Sequence, residues 1–256
     1  MIKTQRIEEI RRYVKHHQVV SFDRLAKTFK VSVNTVRRDV QKLVNEGQLK
    51  KVHGGVSVYD SQPAQYEERE IVNESAKRQI AKASAEMVED EDIIFVDTGT
   101  TTVYMAEYLR GKKVTVLTNN LDFIIQSKRE PDITVISTGG LFDAATNSFI
   151  NLQSSDVLTS YNINKAFMAT TGISNDNGVT HASPLESEIK KEIVKKSTRV
   201  YVLADSTKFD KHALITYCTL KAVDCIITNT SPSSTFMNEL KNHNVYLCTT
   251  ENTNNL

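Results

Sequence analysis

Cysteine is scarce in this chain: Cys218, Cys225 and Cys248 are the only three in 256 residues. Their number is odd and their spacing matches no metal-ligand pattern. Each lies in or beside an apolar, strand-like run, which reads as reduced core thiols of a cytoplasmic protein and not as a disulfide framework. No apolar run approaches the ~20 residues that a membrane-spanning helix needs, and Met1-Ile2-Lys3-Thr4 opens without the apolar stretch of a signal peptide. The sequence carries no internal repeat and no low-complexity tract. It has no Gly-x-Gly-x-x-Gly after a strand and no glycine–lysine loop of the nucleotide-hydrolase kind, so NAD and ATP are not expected and no cofactor is assigned. Neither a His–Ser–Asp set nor a metal-spaced cluster stands in it, so no catalytic or metal-ligating residue is assigned either.

A net charge of one sign is also missing, but only on average. The chain as a whole carries +1, yet residues 1–57 hold 13 Lys/Arg against 5 Asp/Glu, about +8, and the remainder holds 19 against 26, about −7. A small basic part joined to a larger acidic one is the pattern of a nucleic-acid reader attached to another module. The basic residues concentrate where a reading element is expected. Ser32 reads as an N-cap, and Val33, Val36, Val40 and Leu43 then recur at helical spacing up to Gly47. Asn34, Thr35, Arg37 and Arg38 lie between them and offer donors to phosphates and base edges. A helix from about Thr4 to His16 (Ile7, Ile10 and Val14 inward) and a second capped by Ser21 (Phe22, Leu25 and Phe29 inward) precede it, with a break at Lys30-Val31. Leu49 to Val58 alternates about the pair Gly54-Gly55 and reads as a hairpin. Three helices and a wing predict a winged helix-turn-helix that contacts double-stranded operator DNA through Ser32, Asn34, Thr35, Arg37, Arg38 and Lys42 on the helix and Lys51, His53 and Gly54 on the wing. Asp39 is expected to orient an arginine.

These residues resemble the N-terminal signature of the DeoR-type bacterial transcriptional regulators. Its basic residue and two aliphatics at spacing four are matched by Arg6, Ile10 and Val14, and its later run by Ser32, Thr35, Val36, Arg37, Arg38, Asp39 and Val40.

From Tyr59 to Asn73 the pattern lapses into turn-like and charged residues, read as a linker. Glu74–Val88 is predicted helical. Beyond it, apolar runs at Ile93–Val96, Val114–Leu117, Ile133–Ile136, Ala166–Ala169, Val200–Ala204, Cys225–Thr228 and Val245–Cys248 alternate with helix-like stretches near Thr102–Arg110, Leu121–Lys128, Leu185–Lys196 and Ser234–Asn242. Continuous apolar strands alternating with helices predict a mostly parallel sheet covered on both faces. Five of the runs end in small, hydrogen-bonding or charged residues: Asp97-Thr98-Gly99-Thr100-Thr101, Thr118-Asn119-Asn120, Ser137-Thr138-Gly139-Gly140, Thr170-Thr171-Gly172 and Asp205-Ser206-Thr207-Lys208. In a doubly wound sheet those ends share one rim, where ligands bind. Gly99 allows close backbone approach, and the Thr100 and Thr101 amides at a helix start favour an anion such as phosphate.

Here the resemblance continues. The sensor domain of DeoR-type regulators, similar in fold to ribose-5-phosphate isomerase, carries an Asp-x-Gly-Thr-Thr loop, a Thr-Asn loop, a Gly-Gly loop and an Asp-x-x-Lys-Phe segment. In this chain these are Asp97–Thr101, Thr118-Asn119, Gly139-Gly140 and Asp205–Phe209. The resemblance implies that the threonine loop holds phosphate, that Asp97 takes a sugar hydroxyl and that Lys208 supplies positive charge. The expected effector site is therefore Asp97, Gly99, Thr100, Thr101, Thr118, Asn119, Gly139, Gly140 and Lys208. Two departures stand out: Leu141-Phe142-Asp143 where the family often has a basic residue, and Ile150-Asn151 where it often has a glycine. Tyr161–Met168, Leu185–Lys191 and Val200–Asp205 resemble segments of the myo-inositol utilisation repressors. Glu186 and Glu188 either reach the pocket or form a solvated face with Glu186–Lys190 pairing four apart, and His181 is either a bystander or a contact.

The sequence thus predicts an α/β protein. An N-terminal winged helix-turn-helix (1–58) and a linker (59–73) precede a Rossmann-like, ribose-phosphate-isomerase-like parallel-sheet sensor (74–256). The function expected is a cytoplasmic, homo-oligomeric (dimeric or tetrameric) repressor of a carbohydrate or polyol operon, inositol first among them. A phosphorylated sugar or polyol, with an inositol-derived sugar acid phosphate as first candidate, is expected to release it from DNA. The alternative is a sugar-phosphate isomerase or deaminase with an accessory basic domain; such enzymes carry acids after the middle strand, where this chain has Thr170-Thr171-Gly172.

Overall fold

The computed structural model describes residues 3–17, 19–46, 48–52, 55–58, 66–150 and 160–250. The chain divides into two compact units, residues 1–64 and 65–256.

In the first unit, α1 (Lys3–His17), β1 (Val19–Ser21), α2 (Phe22–Phe29) and α3 (Val33–Asn45) precede an antiparallel hairpin of β2 (Leu49–Val52) and β3 (Gly55–Val58). Both expected caps form: the Ser21 and Ser32 hydroxyls accept from the amides of Arg24 and Thr35, each at 3.2 Å. Gly47, expected to close α3, lies outside the described residues. Lys30 ends α2 in the left-handed conformation, its amide donating back to Ala26 and Lys27. The helical spacing delivers one core, in which Ile10, Val14, Leu25, Val36, Val40 and Leu43 meet Leu49 and Val56 of the wing. Phe29 reaches it only in part. Sequence reading missed β1, which pairs with β3 and turns the hairpin into a three-stranded sheet; three residues are too few to show a period.

Asp39 points inward from α3, is 1% exposed, and accepts from Arg6 Nε of α1 at 2.7 Å. The arginine that Asp39 was expected to orient is therefore a core-edge residue that ties α1 to α3. Removing one partner of such a pair strands the other charge, at a cost of about 3 kcal/mol. Asp39→Ala should accordingly lower the stability of this unit by about 3 kcal/mol in urea unfolding of the full chain; a change within about 0.5 kcal/mol, the size usual for surface substitutions, would refute the role.

The second unit opens with α4 (Tyr66–Ile71) and α5 (Glu74–Glu86). The first of these corrects the reading of 59–73 as a connection throughout: residues 66–71 are helical, and Tyr66 is buried. The chain then runs through β4 (Ile93–Val96), a 3-10 turn (Thr102–Tyr104) with α6 (Met105–Tyr108), β5 (Val114–Thr118), α7 (Leu121–Ser127), β6 (Ile133–Ser137), β7 (Leu141–Asp143) and β8 (Ser148–Ile150). After residue 160 come β9 (Ile163–Ala169), β10 (Gly172–Ser174), β11 (Gly178–His181), α8 (Pro184–Lys196), β12 (Ser197–Leu203), β13 (Ile215–Cys218), β14 (Cys225–Thr228), α9 (Ser234–Asn242) and β15 (Tyr246–Thr249).

Seven strands, each on one of the predicted apolar runs, form a single sheet in the order β15-β14-β12-β9-β4-β5-β6. Every neighbouring pair is parallel. Two apolar clusters cover its faces, one around Ile80, Val103 and Phe123, the other around Ile189, Ile193 and Phe236. β9 begins three residues earlier than its apolar run because its polar residues are matched locally: Asn164 accepts from the Ile93 amide at 2.7 Å, and Lys165 pairs with Asp92 at 2.7 Å. Two small antiparallel sheets, β10-β11-β13 and β7-β8, escaped sequence reading because their strands are three or four residues long. All three cysteines are free and buried, and burial pushes the Cys218 and Cys225 thiols up to about 12. No helix among the described residues is long and apolar enough to cross a membrane.

The strand order fixes where a ligand site belongs. From β4 the chain winds outward through β5 to β6, then returns to the other side of β4 with β9 and proceeds to β12, β14 and β15. The winding reverses between β4 and β9, and a crevice opens there at the carboxyl ends of the strands.

Candidate functional site

On the first unit, inward rotation of Val36, Val40 and Leu43 leaves Asn34, Arg37 and Arg38 exposed near the start of α3. Arg37 lies 5.5 Å over the Phe22 ring, which restrains its guanidinium. Ser32 and Thr35 are partly committed to the cap, with their hydroxyl oxygens 2.9 Å apart. Lys42 is exposed about one turn further along, in loose contact with Glu46 at 3.9 Å, and Lys51 is exposed on β2. His53 and Gly54 lie outside the described residues. The geometry is that of an uncovered helix N-terminus flanked by two arginines, able to donate to phosphates and base edges.

On the second unit, the five predicted loops follow five adjacent strands, β12, β9, β4, β5 and β6. Asp97, directly after β4, sits at the reversal point and is 1% exposed. Its Oδ2 accepts from the Ala169 amide at 2.7 Å and pairs with Lys190 of α8, itself 1% exposed. Its Oδ1 has no partner. Burial raises the Asp97 pKa, and Lys190 opposes that shift. The loop beyond is closed by Thr102, whose hydroxyl donates to the Asp97 and Gly99 carbonyls at 2.6 and 3.1 Å. Gly99 is needed there: a Cβ would stand 2.5 Å from that of Ala169, so its lack of a side chain lets the β4 loop cross the end of β9. The helix expected over Thr102–Arg110 is instead a 3-10 turn and one α turn, so its dipole is short. What the loop offers an anion is mainly the amides of the buried residues Gly99, Thr100 and Thr101, for which no acceptor exists among the described residues.

Thr118 has a structural part. Its hydroxyl donates to the Val96 carbonyl at 2.6 Å and accepts from the Asn120 amide at 3.0 Å, locking the ends of β4 and β5 together. Asn119 is 1% exposed and its Oδ1 is unpartnered, as are Thr98 Oγ1 and Asn120 Nδ2. Beside β6, Gly139 adopts φ +63° with open space around it, and Gly140 has φ +112°. Lys208 is half-buried after β12, and burial lowers its pKa.

The constellation that sequence reading missed comes from α8. Glu186 is 1% exposed and does not pair with Lys190 on a solvated face; it bonds His181 Nε2 at 2.6 Å and the Ser148 hydroxyl at 2.9 Å. Glu188 is the exposed one, paired with Lys191 at 2.7 Å. The available signal was position: Glu186 and Lys190, four apart, fall on the same helical stripe as the buried Ile189 and Ile193. No group of three or more His, Cys, Asp or Glu among the described residues is arranged to hold a metal ion.

Burial, then the nearby Lys190 charge, pushes His181 down to about 2, so it stays neutral and donates from Nε2 to Glu186. The unfolded histidine titrates near 6.5, so below that pH the unfolded chain gains a proton that the folded one refuses. His181 then costs up to about 1.4 kcal/mol of stability per pH unit as the pH falls, and its contribution is complete above 6.5. Burial raises Glu186 and works the other way, so the test is comparative. The stability advantage over His181→Asn should shrink as pH falls from 7 to 5; an advantage independent of pH would show that His181 is not held neutral.

A winged helix-turn-helix with an open reading helix, followed by a parallel-sheet unit whose reversal point gathers unsatisfied polar groups, defines a two-part regulator of the ligand-responsive DNA-binding class. Residues 6–62 match the DeoR-like helix-turn-helix domain and residues 72–230 match the DeoR C-terminal sensor domain. This chain belongs to the DeoR family of transcriptional regulators. It is 41% identical over 230 residues to the HTH-type transcriptional regulator IolR of Bacillus subtilis, covering 89% of this chain and 92% of IolR. It is 28% identical over 242 residues to the L-fucose operon activator of Haemophilus influenzae (94% and 97% covered) and 26% identical over 249 residues to the glycerol-3-phosphate regulon repressor of Escherichia coli (96% and 99%). Ribose 5-phosphate isomerase A of Methanocaldococcus jannaschii overlaps 54% of this chain and 55% of its own at 17% identity, with a TM-score of 0.40; the fold assignment rests on the sheet itself.

Proposed function

We propose that this protein represses a carbohydrate or polyol operon by binding operator DNA through α3 and the wing, and that a phosphorylated sugar or polyol at the β4–β9 crevice releases it. The observation that carries the sensor half is the set of buried side-chain groups left without partners around one loop, Asp97 Oδ1, Thr98 Oγ1 and Asn119 Oδ1, beside the Gly99–Thr101 amides, which have no acceptor among the described residues. Buried polar groups are rarely left unpaired without a reason. This set provides donors for an anion beside acceptors for hydroxyls, which is the chemistry of a sugar phosphate. Residues Gly139, Gly140 and Lys208 complete the proposed site on the flanking strands, and Thr118 supports it from beneath. Kinship with IolR supports an inositol operon as the first target, and an inositol-derived sugar acid phosphate as the first effector to try. The glycerol-3-phosphate regulon repressor, another relative by name, supports both the phosphate and the repressing sign. The unpaired groups are those of a binding site, and we infer no turnover. The working form is a homo-oligomer, dimer or tetramer, because a helix-turn-helix reads paired half-sites as a dimer. It works in the cytoplasm, where its DNA is.

Two experiments test the halves separately. Arg37→Ala and Arg38→Ala should each weaken binding to DNA flanking the protein's own gene. A lost base contact costs about 1–3 kcal/mol and a lost phosphate contact instead lowers the salt dependence. Unchanged affinity and salt slope in both folded variants would remove α3 as the reader.

Thr100→Asp places a like charge in the amide loop. That variant should still bind DNA but need at least tenfold more sugar phosphate for release. Release at the parent's concentration would place the phosphate elsewhere.

A further inference from the structure

We propose that α4, on the stretch read from sequence as linker, forms one wall of this same effector site: Arg69 is a second cation for the effector's acidic group beside Lys208, and the Tyr66 hydroxyl is a further contact. The inference rests on the effector reading above and adds the element that would report the effector's presence.

Four observations lead there. First, α4 is held by the sensor unit. Lys77 of α5 is only 4% exposed, and its ammonium donates to the carbonyls of Arg69 and, at 3.3 Å, Glu70 at the carboxyl end of α4. A lysine there satisfies orphan carbonyls and complements the helix dipole. Second, the turn after α4 reaches the rim: Asn73, the residue that precedes α5, donates from Nδ2 to Asp205 Oδ1 at 3.4 Å, in the loop that carries Lys208. Third, the Arg69 charge acts on groups from four other parts of the unit: α5, α8, β11 and the turn after β12. It disfavours the protonated forms of Lys77, Lys208 and His181 and favours the ionised form of Glu186. Burial is the larger cause at each of them. Fourth, Tyr66 is 2% exposed and lies under the Arg69 guanidinium at 5.6 Å, yet its hydroxyl has no hydrogen-bond partner. Asn120 stands beside that hydroxyl, and its Nδ2 is unpartnered too.

The electrostatic balance gives these facts a direction. Lys77 and Lys208 both feel the Arg69 charge, and Lys208 feels that of Lys211 as well. Burial is the main cause that pushes Lys77 down to about 8 and lowers Lys208; repulsion from Arg69 adds to both shifts, and Asp205 opposes both. Lys190 is already neutralised by Asp97, and Glu186 is engaged with His181 and Ser148. Cations gathered in a partly buried place relax when an anion joins them. A phosphate or carboxylate between Lys208 and Arg69 does this and draws α4 onto the rim. Helix α4 opens the second unit and follows, in sequence, the segment that leaves the wing. Tightening it is thus a direct way to pass binding to the DNA-reading half, limited by the effector's differential affinity for the two states.

The test uses the full chain and four probes: ribose 5-phosphate, fructose 6-phosphate, gluconate 6-phosphate and inositol 1-phosphate. Melting temperature and DNA release are followed against probe concentration. For a probe that acts on the parent, Arg69→Ala should raise the half-effect concentration at least tenfold. Arg69→Lys should recover part of the loss, and Tyr66→Phe should raise it severalfold with the unliganded melting temperature unchanged. DNA affinity without probe should stay at the parental value in all three. If Arg69→Ala does not fold, Arg69→Gln takes its place. If the parent responds and neither the Arg69 nor the Tyr66 variant differs from it, α4 is not part of the site and the effector reading stands. If no probe acts on the parent, both fall together.

Discussion

The ion pair between Asp97 and Lys190 is the constraint on which the sensor unit depends. Two opposite charges, each 1% exposed, meet where the winding of the sheet reverses. The carboxylate also accepts from the Ala169 amide, so one group joins the end of β4, the end of β9 and the middle of α8. Burying such a pair carries a large desolvation cost, and a pair of this kind is weak evidence of stability for its own sake. Its worth here is positional. It leaves one Asp97 oxygen unpaired, fixes the loop that carries the Gly99–Thr101 amides, and holds α8 so that Glu186 reaches His181 and Ser148. A crevice built this way has its polar groups aimed before a ligand arrives, which lowers the cost of ordering them on binding.

The DNA-binding unit uses the same device on a smaller scale. Arg6 and Asp39 join the first and third helices through a hydrogen bond of 2.7 Å at the edge of the core. Arg37 and Arg38, the arginines proposed to read DNA, are exposed while Asp39 beside them is buried, so the anchor and the proposed reader share one helix without sharing a face. In both units a buried carboxylate holds the framework that presents the contacts: Asp39 through Arg6, as its expected pairing with an arginine implies, and Asp97 through Lys190.

Much of this was legible in the sequence because it was local. The seven strands lie on continuous apolar runs, the capping serines stand just ahead of their helices, and the rim loops follow their strands directly. What was not legible is long-range or lacks a period. Lys190 and Glu186 sit four apart in a lysine- and glutamate-rich helix, and that spacing fits a solvated pair equally well. Only the fold brings Asp97, Ser148 and His181 from distant strands to meet them. Helix α4 shows one buried side chain, Tyr66, within a charged sequence, and its docking depends on Lys77 from the next helix. The sequence after β4 predicts a longer helix; the chain there makes a 3-10 turn and one α turn, so an anion would meet the loop amides and much less a helix dipole.

The most direct test is a comparison of sugars with their phosphates. Affinity of the intact protein for DNA flanking its gene would be measured by fluorescence anisotropy with inositol, fructose, ribose or gluconate, and with the phosphorylated form of each. At least one phosphorylated form should lower DNA affinity tenfold or more while its unphosphorylated counterpart leaves it unchanged. Equal effects from a sugar and its phosphate, or no effect from any phosphate, would contradict the claim that an anion at the β4–β9 crevice controls binding to DNA.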